Sequence, residues 1–212
     1  MRFLPILFLI FPNCLCDFRF GPTAQREIVD FHNSLRSQLA NGDYVVDGVP
    51  KPPAKDMMKM KWDPILAGMA KNNAATCPSL FTDSKMLGRN YYHRLANVTS
   101  GSLDKYALFA VKKWERQFQE RGWKNQEFRM FGDHRLLTSA TQMVWATTRH
   151  VGCGVNICDA EKNLFGYRNK VVVICEYQSK GNIHGLPIYK EGPTCSACPA
   201  STKCERRSGL CF

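Results

Sequence analysis

The chain has 212 residues, 44% apolar and 22% charged, and its 29 Lys and Arg outnumber 18 Asp and Glu for a formal net charge of +11. That length supports one domain with a substantial core and a small appendage. The basic residues are dispersed (Lys51, Lys55, Lys59, Lys61; Lys112, Lys113, Arg116; Lys203, Arg206, Arg207) with no aromatics interleaved among them, which argues against a nucleic-acid partner. A solvated basic surface and attraction to acidic cell surfaces, glycans or an acidic receptor face both fit this charge.

Residues 1–16 have the pattern of a secretory leader: Arg2, the apolar run 3–11, Pro12 as a breaker, and Cys14 and Cys16 at the cleavage-site positions. The run is too short to span a bilayer, and no later run is long and apolar enough to do so. A mature chain starting near Asp17, secreted and extracellular, is therefore expected. Ten cysteines, two of them in the leader, leave an even number: Cys77, Cys153, Cys158, Cys175, Cys195, Cys198, Cys204 and Cys211. In an exported chain that implies disulfides, whose pairing the spacing does not give.

In chain order, 23–39 reads as a helix with Thr23 as a candidate cap and Ile28, Phe31, Leu35 and Leu39 on one face. His32 and Asn33 lie beside that face, where a lone histidine is more often packed or solvated than a ligand. Asn41-Gly42-Asp43 is a turn, and the prolines of 49–55 keep that connection extended. Asp63-Pro64 opens a second helix, aspartate as N-cap and proline in the first turn, with Ile65, Leu66, Met69, Ala70 and Ala74 as its stripe. Cys77-Pro78 ends it. Asn97-Val98-Thr99 is a glycosylation acceptor sequence. A long amphipathic helix over 103–118 carries Leu103, Tyr106, Ala107, Ala110, Trp114 and Phe118 on one face and stops at Gly122. The β-branched run 170–178 is typical of a central strand. From about Glu191 the chain becomes a short cysteine-rich tail. Its Cys195-x-x-Cys198 spacing admits a zinc knuckle, but a disulfide knot suits an oxidising compartment better.

The most specific stretch is 139–154: a short helix through Ala140, Met143 and Val144, ending at Trp145, then glycines leading into a strand with Cys153. Its Thr141-Gln142, Trp145 and Gly152-Cys153-Gly154 resemble the CAP superfamily of cysteine-rich secretory, antigen-five, pathogenesis-related and nematode secreted proteins. The Met60-Lys61-Trp62-Asp63-Pro64 run and Leu87-Gly88-Arg89-Asn90 add to the match. The resemblance implies an α+β fold, a three-layer α-β-α sandwich over 17–190 with a disulfide-rich hinge-like tail over 191–212. It further implies the pairs Cys77–Cys158, Cys153–Cys175, Cys195–Cys204 and Cys198–Cys211.

CAP domains hold a cleft with two histidines and two glutamates that in several members binds a divalent cation such as zinc. By neighbouring residues those positions fall here on Asp83, Arg89, Gln117 and Ser139, and all four differ from the family pattern. Arg89 places a permanent cation where an ion would sit and cannot serve as a ligand. No metal or other cofactor is therefore expected, and Arg89 is expected to pair with Asp83 and to hydrogen-bond Gln117 and Ser139. There is no Gly-x-Ser-x-Gly elbow, no odd cysteine and no phosphate-cradling loop, so an enzyme is not expected. A single CAP domain with a short tail looks most like nematode secreted proteins, a group that includes antagonists of platelet and neutrophil integrins. The resemblance thus implies a secreted protein acting on a cell-surface receptor such as an integrin, with sterol or lipid binding as the alternative.

Overall fold

The computed structural model describes residues 19–79, 84–98, 101–132, 134–160 and 166–212. The leader, Asp83 and Thr99 of the glycosylation sequence lie outside these residues. The elements run α1 (Pro22–Asn41), the hairpin β1 (Val45–Val46) and β2 (Val49–Pro50), β3 (Lys61–Trp62), α2 (Pro64–Ala75), β4 (Gly88–Ala96) and α3 (Lys105–Arg121). They continue with α4 (Thr138–Met143), β5 (His150–Asp159), β6 (Asn169–Gln178), and a tail hairpin of β7 (Cys204–Glu205) and β8 (Leu210–Cys211).

The central sheet has the order β3-β5-β6-β4, with β6 antiparallel to both long neighbours and β3 a parallel edge. Helix α2 covers one face, and α1, α3 and α4 pack against the other, giving the α-β-α sandwich. Strand β6 is buried on both sides, which is why it reads as a continuous β-branched run rather than an alternating one. Val171, Val173, Cys175 and Tyr177 join the main core beneath α1, α3 and α4. Val172 and Ile174 meet Ala70 and Ala74 of α2 in a second cluster.

Local chemistry explains the helix ends. Asp63 Oδ1 accepts from the backbone N–H groups of Ile65 and Leu66 at 2.8 and 3.1 Å, with Pro64 in the first turn. Thr23 does not cap α1: the helix begins earlier, at Pro22 after Gly21, without a side-chain cap. A threonine one residue inside a proline-started helix has its backbone already helical, so its hydroxyl cannot take the cap position. At the other end Gly42 adopts a left-handed conformation and returns its N–H to the last turn.

Gly152 and Gly154 on β5 let α2 lie directly on the sheet. A Cβ at Gly152 would run into the backbone at Ala67, and one at Gly154 into the backbone of Lys71. Cys77–Cys158 fastens the end of α2 to β5, and Cys153–Cys175 links directly opposed residues of β5 and β6. In the tail Cys195 is bonded to Cys204 and Cys198 to Cys211. The tail is built into the domain: Leu210 is fully buried in the main core, and Cys211 exchanges backbone hydrogen bonds with Met57 and Lys59 at 2.8 and 2.7 Å. No helix among the described residues is long and apolar enough to cross a membrane.

Candidate functional site

The stretch 139–154 organises the molecule through buried hydrogen bonds. Thr141 Oγ1 meets Asn182 Oδ1 at 2.7 Å, and Asn182 donates to the Thr138 carbonyl. Gln142 Oε1 accepts from the Gly181 N–H at 2.9 Å while its amide donates to Thr148 Oγ1, which donates in turn to the Ser179 carbonyl. Thr141-Gln142 therefore pins the chain that leaves β6 onto α4. Gly181 lies flat against Trp145, where a Cβ would meet the indole.

Beneath it is a polar network that crosses the core. His32 is fully buried, with Nδ1 on the Ile28 carbonyl at 2.7 Å and Nε2 on the Tyr177 hydroxyl at 3.0 Å. Asn90 donates to the same hydroxyl and to the Ser139 carbonyl. Burial lowers the His32 pKa to about 4, so the ring is neutral.

Arg36, which the periodicity of α1 does not single out, is also fully buried. Its Nε donates to the Met58 carbonyl, Nη1 to those of Met143 and Trp145, and Nη2 to those of Ala146 and Thr148, all at 2.7–3.0 Å. All five guanidinium donors are thus used on main chain from two stretches, Met58 and 143–148. Burial lowers its pKa to about 9, still well above neutrality, so the group is charged.

Arg89 lies opposite Glu176 in the β4–β6 register, and both side chains face α2. The guanidinium reaches Glu176 Oε1 with both Nε and Nη2 at 2.7 Å, and Asn73 of α2 donates to the same oxygen at 2.8 Å. The Glu176 side chain is 0% exposed and that of Arg89 14%. Burial pushes the Glu176 carboxyl up, and Arg89 acts in the opposite direction.

Gln117 and Ser139 lie on the other side of the sheet. Gln117 Oε1 accepts from the Ala140 N–H at 3.0 Å, and the Ser139 carbonyl accepts from Asn90. The expected network of Arg89 with Gln117 and Ser139 is therefore corrected: the cross-strand carboxylate takes the arginine, and the other two are used in joining α3, α4 and β4. Glu115, two residues from Gln117, accepts from the Tyr44 hydroxyl. His134 is buried in its loop, accepting from the Arg129 N–H and bonded to the Asn125 carbonyl.

Between the β4 edge and α3 runs an open groove of about 590 Å³ lined by Ser79, Tyr91, Tyr92, His93, Arg94, Lys113, Trp114 and Gln117. It offers one imidazole beside two cations. Zinc needs three or four imidazole, thiolate or carboxylate donors, and these residues do not fit it. Among the described residues the one cluster of three such groups is Cys195, Cys198 and Cys211, whose sulfurs are in disulfides.

A layered sandwich with this sheet order, a Thr-Gln pin, paired glycines under α2 and a disulfide across β5–β6 defines a CAP domain. The chain belongs to that family: the profile of the cysteine-rich secretory protein family matches residues 29–177. It is 30% identical to peptidase inhibitor 16 of Mus musculus over 197 residues, 90% of this chain but 35% of that protein. It is 33% identical to peptidase inhibitor 15 of Gallus gallus over 199 residues, 87% of this chain and 69% of the relative. The chain thus spans about a third of peptidase inhibitor 16. Among solved structures, NaASP2 with Zn2+ aligns with a TM-score of 0.78 at 30% identity, covering 91% of this chain and 97% of that one. The hookworm platelet inhibitor aligns with a TM-score of 0.67 at 20% identity over 91% and 92% of the two chains, a likeness of fold alone.

Proposed function

We propose that this is a secreted, non-catalytic CAP protein that acts by contact with a cell-surface protein receptor, of the kind an integrin antagonist of platelet or leukocyte adhesion would bind. The observation that carries this reading is the use of the cleft positions. Arg89 is committed to Glu176, Gln117 to main chain, and the neighbouring groove is aromatic and cationic, so the chemistry available is recognition rather than Lewis-acid or proton-transfer catalysis. The fold shared with the hookworm platelet inhibitor agrees with it. The four disulfides among the described residues suit the oxidising extracellular compartment that a leader over 1–16 would deliver the chain to.

Sterol carriage gains no comparable support among the described residues. The cavity of about 360 Å³ has Phe20, Trp62, Pro64 and Ala67 in its wall together with Arg19, Gln25, Lys71 and Asn72, a mixed lining rather than the continuous apolar wall a sterol needs. The test is flow cytometry of the labelled, disulfide-intact protein on washed platelets and neutrophils, with integrin-blocking antibodies as competitors. Saturable, antibody-sensitive binding is expected. Absence of binding to either cell type would overturn the reading. Calorimetry with zinc alone is expected to show no heat above dilution.

A further inference from the structure

Four of the twelve large apolar side chains exposed among the described residues lie on segments bonded to one another: Phe131 at 93%, Leu136 at 53%, Ile183 at 44% and Leu186 at 47%. The Phe128 N–H donates to the Leu186 carbonyl, the Gly185 N–H to the Phe128 carbonyl, and the Met130 N–H to His184 Nδ1. These bonds strap the loop carrying Phe131 to the segment that leads out of the sheet. Singly scattered apolar residues need no explanation, whereas a group on two laced segments does.

The loop is also held from beneath. His134, fully buried, bonds the Arg129 N–H and the Asn125 carbonyl, so one ring ties the far end of the turn back to two points before it. Phe128 stacks on that ring at 5.4 Å and meets Trp145 edge-on at 6.1 Å, tying the loop to the end of the 139–145 stretch. Phe131 is therefore presented from a backbone that is already organised, which reduces the ordering cost of burying it in a complex.

We propose that this loop tip is the docking face of the protein, with Phe131 as its anchor, for a receptor protein whose surface holds an apolar pocket rimmed by carboxylates. The inference rests on the receptor reading above and names the face that performs it. An apolar centre with arginines at its edge is the usual anatomy of a protein interface. Arg129 and Arg135 supply that edge. Glu127 sits 3.4 Å from Arg129 Nε, so the rim is mixed in charge. A bilayer-inserting spike would carry an uninterrupted basic collar, and this rim favours protein over lipid.

The test compares wild type, F131S/L136S and R129E/R135E on washed platelets and neutrophils, intact and trypsin-stripped, and on protein-free phosphatidylserine–phosphatidylcholine vesicles. All four changes are at exposed side chains, and unchanged thermal melts confirm folding. F131S/L136S is expected to bind intact cells at least tenfold more weakly, R129E/R135E to associate more slowly with a flatter salt dependence, and trypsin to abolish binding. Wild-type binding matched by F131S/L136S would overturn the docking face while leaving the receptor reading intact. Phe131-dependent binding to stripped cells or vesicles would replace the protein partner with a membrane. A wild type that binds no cells would remove the receptor reading and this inference with it.

Discussion

Replacing Arg36 with methionine keeps most of the buried aliphatic volume and removes five donors at once. Two of the five carbonyls retain a main-chain partner, since Thr148 N–H donates to Trp145 and Met58 N–H to Ala146. The carbonyls of Met58, Met143 and Thr148 lose the bonds that Arg36 supplies. A buried acceptor left unmatched costs about 1–3 kcal/mol, so the three together cost about 3–9 kcal/mol. Removing the buried cation recovers part of its desolvation cost, which places the net loss in the lower half of that range, at about 3–5 kcal/mol. Against a typical domain stability of about 5–15 kcal/mol that is a large fraction. Arg36→Lys brings three donors on a single nitrogen and cannot reach all five carbonyls of Met58 and 143–148, so it is expected to lose about 2 kcal/mol. The assay is guanidinium chloride unfolding of the disulfide-intact protein followed by tryptophan fluorescence, with the exposed Arg26→Met as control, expected within about 0.5 kcal/mol of wild type. An Arg36→Met protein within 1 kcal/mol of wild type would refute the argument that this guanidinium joins α1 to the rest of the core.

Three further outcomes follow from the same geometry. Arg89→Glu sets two carboxylates together on a buried strand pair and should cost about 3–5 kcal/mol, while the exchange Arg89→Glu with Glu176→Arg should recover most of it; an exchanged protein no more stable than the single variant in urea melts would show that the pair is not the source. His32 has a folded pKa of about 4, below its ordinary 6.5, so its contribution is present above pH 6.5 and lost as pH falls toward 4. Wild type should lose about 3 kcal/mol across that window beyond what His32→Gln loses, and parallel pH profiles for the two would sink the assignment. Gly154→Ala drives a methyl into the backbone of α2 and should destabilise by more than about 2 kcal/mol, whereas Gly68→Ala, with open space around it on the same helix, should be neutral or stabilising by up to about 1 kcal/mol. Calorimetric melting separates the two, and equal shifts would contradict the packing described.

Much of the scaffold was open to reading because its causes are local. The 3.6-residue recurrence in 23–39 and 103–118 marks α1 and α3, Asp63-Pro64 marks the start of α2, and the β-branched run 170–178 marks β6. Each depends on residues within a few positions of one another. The strand β4 was harder, because Arg89, Tyr91, His93 and Arg94 give it no clean alternation: it lies at the sheet edge, where the rule that one face is apolar lapses.

What the sequence by itself determined was the succession of the main helices and strands and an even set of cysteines beyond residue 16 suited to disulfides. Only the tertiary structure decided where the polar groups went. Glu176 meets Arg89 because the β4–β6 register places residues 87 positions apart side by side. Arg36 finds its five acceptors only when Met58 and the stretch 143–148 converge on α1. Partners of that kind are set by register and layer packing, which no window of neighbouring residues contains, because a hydrogen bond depends on distance in space and not on distance along the chain.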